Sequence, residues 1–115
     1  MQLHTGSGPF ELNIPAGHAR EQIPAWYHRP ENLTDESPVI IVLHGTSRAA
    51  RTSRDKWAPH ADEHGFFVVV PDFEAEYFSD PPYAYANLWS PEDPFEPQDW
   101  SVSYGAILDR LFDAV

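Results

Sequence analysis

Residues able to do chemistry concentrate in three stretches. "VLHGTSRAA" (42–50) ends an apolar run in His44-Gly45 and follows it with Thr46 and Ser47. "HADEH" (60–64) sets His60 and His64 four residues apart with Glu63 between them. Residues 72–99 gather eight carboxylates with aromatic residues that include Tyr85 and Trp89. The first stretch suits acyl transfer in two ways. Ester cleavage puts negative charge on the carbonyl oxygen, and a backbone N–H aimed at that oxygen stabilises it; removing one such donor costs about 2.7–4 kcal/mol. A sharp turn directly after a buried strand would hold an N–H rigidly at the sheet's rim, and Gly45 would let the backbone turn and be approached closely. Alternatively, "GTSRA" (45–49) reads as Gly-x-Ser-x-Ala between strand and helix, which makes Ser47 a second candidate nucleophile with His60 or His64 as base. Against that, Arg48 to Thr52 looks loose where a helix should start at once. Histidines along the following helix also point away from the strand's end.

The other two stretches carry less. His-x-x-Glu-His is a zinc-protease pattern that needs a third ligand and a long helix on each side. Pro59 and Gly65 bracket it to barely one turn, so no metal site is assigned. His64 instead suits the negative end of a helix. Calcium needs carboxylates at set spacings in a loop, and residues 72–99 show no such spacing; a solvated acidic loop is expected, with Asp72 as a turn former. Tyr85 and Trp89 are candidates to line an acyl or aryl pocket, or equally to pack a proline-rich loop.

The elements that must position these residues follow from hydropathy. Residues 1–8 read as a disordered start. "PFELNI" (9–14) and "QIPAWYHRP" (22–30) read as strands, the second at an edge or bulge because of Pro24. "PVIIVLH" (38–44) and "FFVVVPDF" (66–73) are apolar throughout, the mark of strands covered on both faces in a parallel sheet. Between them "TSRDKWAPHADEHG" (52–65) reads as a helix with Ser53 as cap, Gly65 as stop and a kink or break at Pro59. Strand, helix and strand within about 35 residues form a βαβ unit. Residues 71–99 hold six prolines and read as one long loop. "DWSVSYGAILDRLFDAV" (99–115) reads as a helix with Ile107, Leu108, Leu111, Phe112 and Val115 on one apolar stripe. The fold class is α/β in a single domain spanning 1–115.

Composition narrows the function. With 18 acidic against 7 basic residues the net charge is −11, and Lys56 is the only lysine. That field repels nucleic acid, so no nucleic-acid partner is expected. A lysine-poor acidic surface fits a halophilic protein; an ordinary solvated acidic surface fits as well. No cysteine is present, which excludes disulfides and thiolate metal sites. The first ten residues lack a signal peptide's basic start and apolar run, and no apolar stretch approaches the ~20 residues that cross a bilayer. A soluble, cytoplasmic protein without a membrane partner is the expectation.

Two strands, a buried strand ending in His-Gly, a helix and a buried strand ending in Pro-Asp resemble the opening of an α/β-hydrolase. "VIIVLHGTSRAA" with "ADEHGFFVVVPD" looks most like the polyhydroxybutyrate-depolymerase and feruloyl-esterase group of ester hydrolases, and "ANLWSPEDPF" resembles that group's Trp-containing loop. The resemblance covers about residues 20–115. It implies that the Thr46 N–H is an oxyanion donor, that His44 supports the loop rather than acting as base, and that no cofactor is used. It further implies a nucleophile elbow, Gly-x-Ser-x-Gly, after the next strand, with the acid and base later still. No two glycines lie four apart in this chain. The expectation is therefore the N-terminal half of a serine ester hydrolase, truncated before all three triad residues and inactive by itself. Its small-molecule ester substrate belongs to the longer protein. In that family the nucleophile strand pairs with the His-Gly strand, so "VIIVL" would form an open edge needing the missing C-terminal half or another chain. The competing class is an inactive hydrolase-like binding or interaction module.

Overall fold

The apolar run after Gly65 forms the spine of the sheet. In a computed structural model describing residues 3–14, 21–45, 47–74, 78 and 104–114, the elements are β1 (Gly6–Asn13), β2 (Gln22–Arg29), β3 (Val39–Ile41), α1 (Ala50–His64), β4 (Phe67–Pro71) and α2 (Tyr104–Ala114). The four strands form one mixed sheet in the order β1-β2-β4-β3. β2 pairs with β4 antiparallel, Tyr27 opposite Val69; β3 pairs with β4 parallel, Ile40 opposite Val68. The expected βαβ unit is thus present as β3-α1-β4. Every residue of β4 is buried, as a run of β-branched side chains inside a sheet should be.

The chain falls into two units, one of Met1–Glu11 and Pro24–Asp72 and the other of Leu12–Ile23 and Phe73–Val115. In the first, one face of the sheet carries Ile40, Val42 and Val68 against Ala61 of α1 and Phe66. On the other face Tyr27 stacks on Phe67 with ring centroids 5.8 Å apart. Gly8 makes room for that ring: a Cβ there would lie 3.0 Å from Tyr27 Oη. Gly65 ends α1 at φ 72°, in the left-handed region that favours glycine, and returns its N–H to Ala61 O at 2.8 Å. In the second unit, Ile14 N–H donates to Glu21 O and Gln22 Nε2 to Asn13 Oδ1, which ties the end of β1 to the start of β2. There Phe73 and Phe78 meet edge to face at 5.2 Å, and Ile107 and Leu111 of α2 are fully buried.

Several expectations are corrected. β1 begins at Gly6, so strand replaces the end of the irregular 1–8 start. Pro24 lies in an interior strand, not an edge. Asp72 N–H donates to Pro24 O as the last rung of the β2–β4 ladder, so the N–H that Pro24 lacks would have been needed only where the ladder stops. β3 has three residues rather than seven, and none is buried. Phe67 N–H reaches Pro38 O and Val42 N–H reaches Val69 O, so alternate β4 residues face β3. The next in that series is Pro71, which has no N–H to return to Val42, and the ladder ends there. α1 starts three residues before Ser53, with Ala49 as a cap that makes no side-chain bond, and it runs through Pro59 without a break. Phe112 is 62% exposed; at 100° per residue it sits about 140° around the helix from Ile107. Residues 99–103, Val115 and most of the 71–99 loop lie outside the described residues.

Candidate functional site

The ladder stops at Val42, and the chain then makes the expected turn at the C-terminal end of β3. His44 is 3% exposed, and its Nδ1–H donates to Gly45 O at 2.9 Å. Because a carbonyl only accepts, that contact puts the proton on Nδ1. Arg48 N–H donates to the same oxygen at 3.0 Å, so the ends of the 45–48 stretch are tied together. Arg48 adopts φ 58° to leave the turn, and α1 begins two residues later. One carbonyl is thus tied from both directions, by a buried ring behind it and by the backbone ahead of it.

Gly45 makes no special conformational demand. Its φ is not positive, and a Cβ built on it would meet nothing within 4 Å. Neither backbone conformation nor packing within the described residues requires glycine there, and among those residues the space beside it is open. Thr46, the expected oxyanion donor, lies outside the described residues, as do Tyr85 and Trp89.

The alternative serine arrangement does not assemble. Ser47 is exposed in the turn, while His60 and His64 stand ten and fourteen residues beyond Ala50 on α1, about 15 and 21 Å along the helix axis. His60 and His64 line a shallow pocket with Lys56, Trp57 and Phe66 at the far end of that helix. Among the described residues no cluster of three or more His, Asp or Glu side chains could hold a metal ion.

Asp72, at the C-terminal end of β4, joins the sheet ladder and accepts from a neighbouring indole, and no turn is assigned at it. Its N–H bonds Pro24 O at 2.8 Å, and Oδ2 takes the Trp26 indole N–H at 3.1 Å. The guanidinium carbons of Arg51 and Arg54 both stand 5.6 Å from the Trp26 ring centroid. Arg54 is 5% exposed; Nε and Nη2 donate to Asp55 Oδ1 at 2.9 and 2.8 Å, and Nη1 reaches Gly8 O at 3.4 Å. This cluster ties α1 to β1, β2 and the end of β4. Sequence reasoning missed it, because an arginine on an amphipathic helix gives no signal that it is buried.

Solved structures similar to the chain include two hydrolases. One is the poly(3-hydroxybutyrate) depolymerase LpqC from Bordetella parapertussis, at 24% identity with a TM-score of 0.81, covering 96% of this chain and 37% of that one. The other is poly(aspartic acid) hydrolase-1 from Sphingomonas sp. KT-1, at 25% identity with a TM-score of 0.82, covering 97% of this chain and 41% of that one. The chain has an α/β-hydrolase fold. It spans about two fifths of the length of either hydrolase, with the order of elements that the resemblance implied. No family model matches the sequence, and no curated protein does. Among the described residues no helix is long and apolar enough to cross a membrane.

Proposed function

We propose that this α/β-hydrolase segment supplies the oxyanion turn of a serine ester hydrolase, with the Thr46 N–H as one donor and the nucleophile, acid and base encoded outside residues 1–115. The observation that carries the reading is the turn at 45–48. Its leading carbonyl, on Gly45, is held by the His44 ring and by Arg48 N–H, with open space beside Gly45 among the described residues. An oxyanion donor stabilises charge only if it is fixed before the reaction, so that no reorganisation is needed as the charge develops. A twice-bonded carbonyl next to a buried imidazole restrains the peptide that carries the following N–H. In this reading His44 positions the turn rather than acting as a base: its ring is buried and its Nδ1–H is bonded to the Gly45 carbonyl that it supports. Two similar structures that are hydrolases of polymeric esters or amides support the acyl-transfer class. Tyr85 and Trp89 remain proposed pocket residues, and Ser47 keeps no partner histidine.

The reading is tested in the polypeptide that carries this segment with its nucleophile. Thr46→Pro deletes the amide hydrogen and should lower kcat for a p-nitrophenyl ester about 10²–10³-fold with KM little changed. Thr46→Ala, which keeps that hydrogen, should retain activity within a few-fold. Full activity in Thr46→Pro would end the proposal. The reading frame after Val115 offers a second check: an in-frame strand followed by Gly-x-Ser-x-Gly is expected. A stop codon with a soluble monomeric product would instead favour a catalytically inactive binding module.

A further inference from the structure

Ser7 on β1, His28 on β2 and Asp62 on α1 are distant in sequence and meet in one hydrogen-bonded chain. His28 Nε2 lies 2.8 Å from Asp62 Oδ1, and His28 Nδ1 lies 2.7 Å from Ser7 Oγ. An ionised carboxylate only accepts, so Nε2 carries a proton. In the neutral ring that leaves the Nδ1 lone pair facing Ser7, whose hydroxyl therefore donates to it. This is the relation a general base needs to a serine: contact with the hydroxyl at about 2.6–3.2 Å, and a third group that fixes the tautomer from the far side. The two ring nitrogens are used in the reverse of the order seen in serine proteases, but the roles define such a site and not the atom labels. Ser7 is open to solvent, whereas the His28 side chain is 13% exposed. A groove of about 450 Å³ lies beside the chain, lined by His28 and Asp62 with Thr5, Arg29 and Asn32. Ser7 is not in the wall of that groove; its own exposure gives an acyl donor access to the serine, while the base is sheltered and oriented.

We propose that Ser7 is a nucleophilic serine that accepts an acyl group from an activated ester, with His28 as its base and Asp62 as a positioning residue. The site is independent of the turn at 45–48 and uses none of its residues. In the reaction the Ser7 Oγ–C bond forms and the bond from the carbonyl carbon to the leaving alcohol breaks. The hydroxyl proton passes to His28 Nδ1 and from there to the departing oxygen. The products are O-acyl-Ser7 and a free alcohol, and no oxidant or metal is consumed. A general base contributes about 10²–10⁴-fold. With no oxyanion donor assigned at this site, slow stoichiometric acylation is expected rather than rapid turnover.

The test treats the 115-residue chain with a fluorophosphonate probe and, separately, with p-nitrophenyl acetate, locating the adduct by peptide mass spectrometry. One adduct per chain is expected, on the peptide holding Ser7. Ser7→Ala should abolish it. His28→Gln should slow labelling about 10²-fold. Asp62→Asn should slow it less, because an amide oxygen can still accept from Nε2. Asp62 is 59% exposed, so Asp62→Asn should melt like the parent and shows whether slowed labelling is separable from unfolding. An adduct on Ser47 or on a histidine, no adduct on the folded chain, or equal labelling of parent, His28→Gln and Asp62→Asn would each overturn the assignment. A purely structural clasp would change melting in these variants without any adduct forming, and that result overturns it too.

Discussion

His44 and Gly45 share one turn but answer to different physics. The imidazole is buried and bonded to the backbone, so His44→Ala removes that bond and opens a cavity. A loss of about 1–3 kcal/mol is expected in urea unfolding. Gly45→Ala meets no atom within 4 Å and no unfavourable φ, so its stability should stay within about 0.5 kcal/mol of the parent. If Gly45→Ala instead destabilised strongly, the open space beside Gly45 would be misplaced. Gly8 behaves in the opposite way, since its added methyl would press on the Tyr27 ring in the middle of the sheet. Gly8→Ala should cost about 1–3 kcal/mol in the same assay. Three positions, each small or polar in the sequence, thus separate into a packing residue, an anchor and an opening only when the neighbours of each are known.

At the scale of elements, α1 carries an internal contradiction. Pro59 has no N–H to donate to the carbonyl four residues back, yet the helix continues through it to His64. Proline inside a helix costs up to about 3 kcal/mol relative to alanine, and tertiary contacts of α1, among them Trp57 against Phe66 and the buried Ala61, oppose that cost. Pro59→Ala should raise the melting temperature; an unchanged or lower value would mean that the proline relieves a clash instead. The apolar runs made β3, β4 and the βαβ order legible in the sequence, because a continuous run of Val and Ile has few other places to go. What could not be read was β3's shortness, which depends on Pro71 in a neighbouring strand, and the meeting of Ser7, His28 and Asp62. That meeting depends on strand register and on helix placement, neither of which a periodicity records. Trp26 with Asp72 was illegible for the same reason. The His-Gly turn was legible as a motif, whereas its double hold on Gly45 O was not.

For the whole molecule, charge and exposed edge pull in different directions. Eleven excess negative charges repel one another over about 10 Å at 0.1 M salt and over only about 3 Å at 1 M. If the acidic surface is adapted to high salt, melting temperature should climb steeply as KCl is raised from 0.1 to 2 M; a flat curve would make it an ordinary solvated surface. β3 is the terminal strand of the described sheet, with Val39 41% and Leu43 55% exposed. Such an edge offers unpaired backbone groups to another strand, and the proposal that further chain pairs there follows from it. Pro71 has one more effect on this edge. By withholding a single hydrogen it releases His44 and Gly45 from the zigzag of the sheet, so a ring from the first and an arch from the second can set the approach to the rim. A chain with valine at 71 would knit one rung further, and that gain in order would flatten the very bend on which acyl chemistry is proposed to depend.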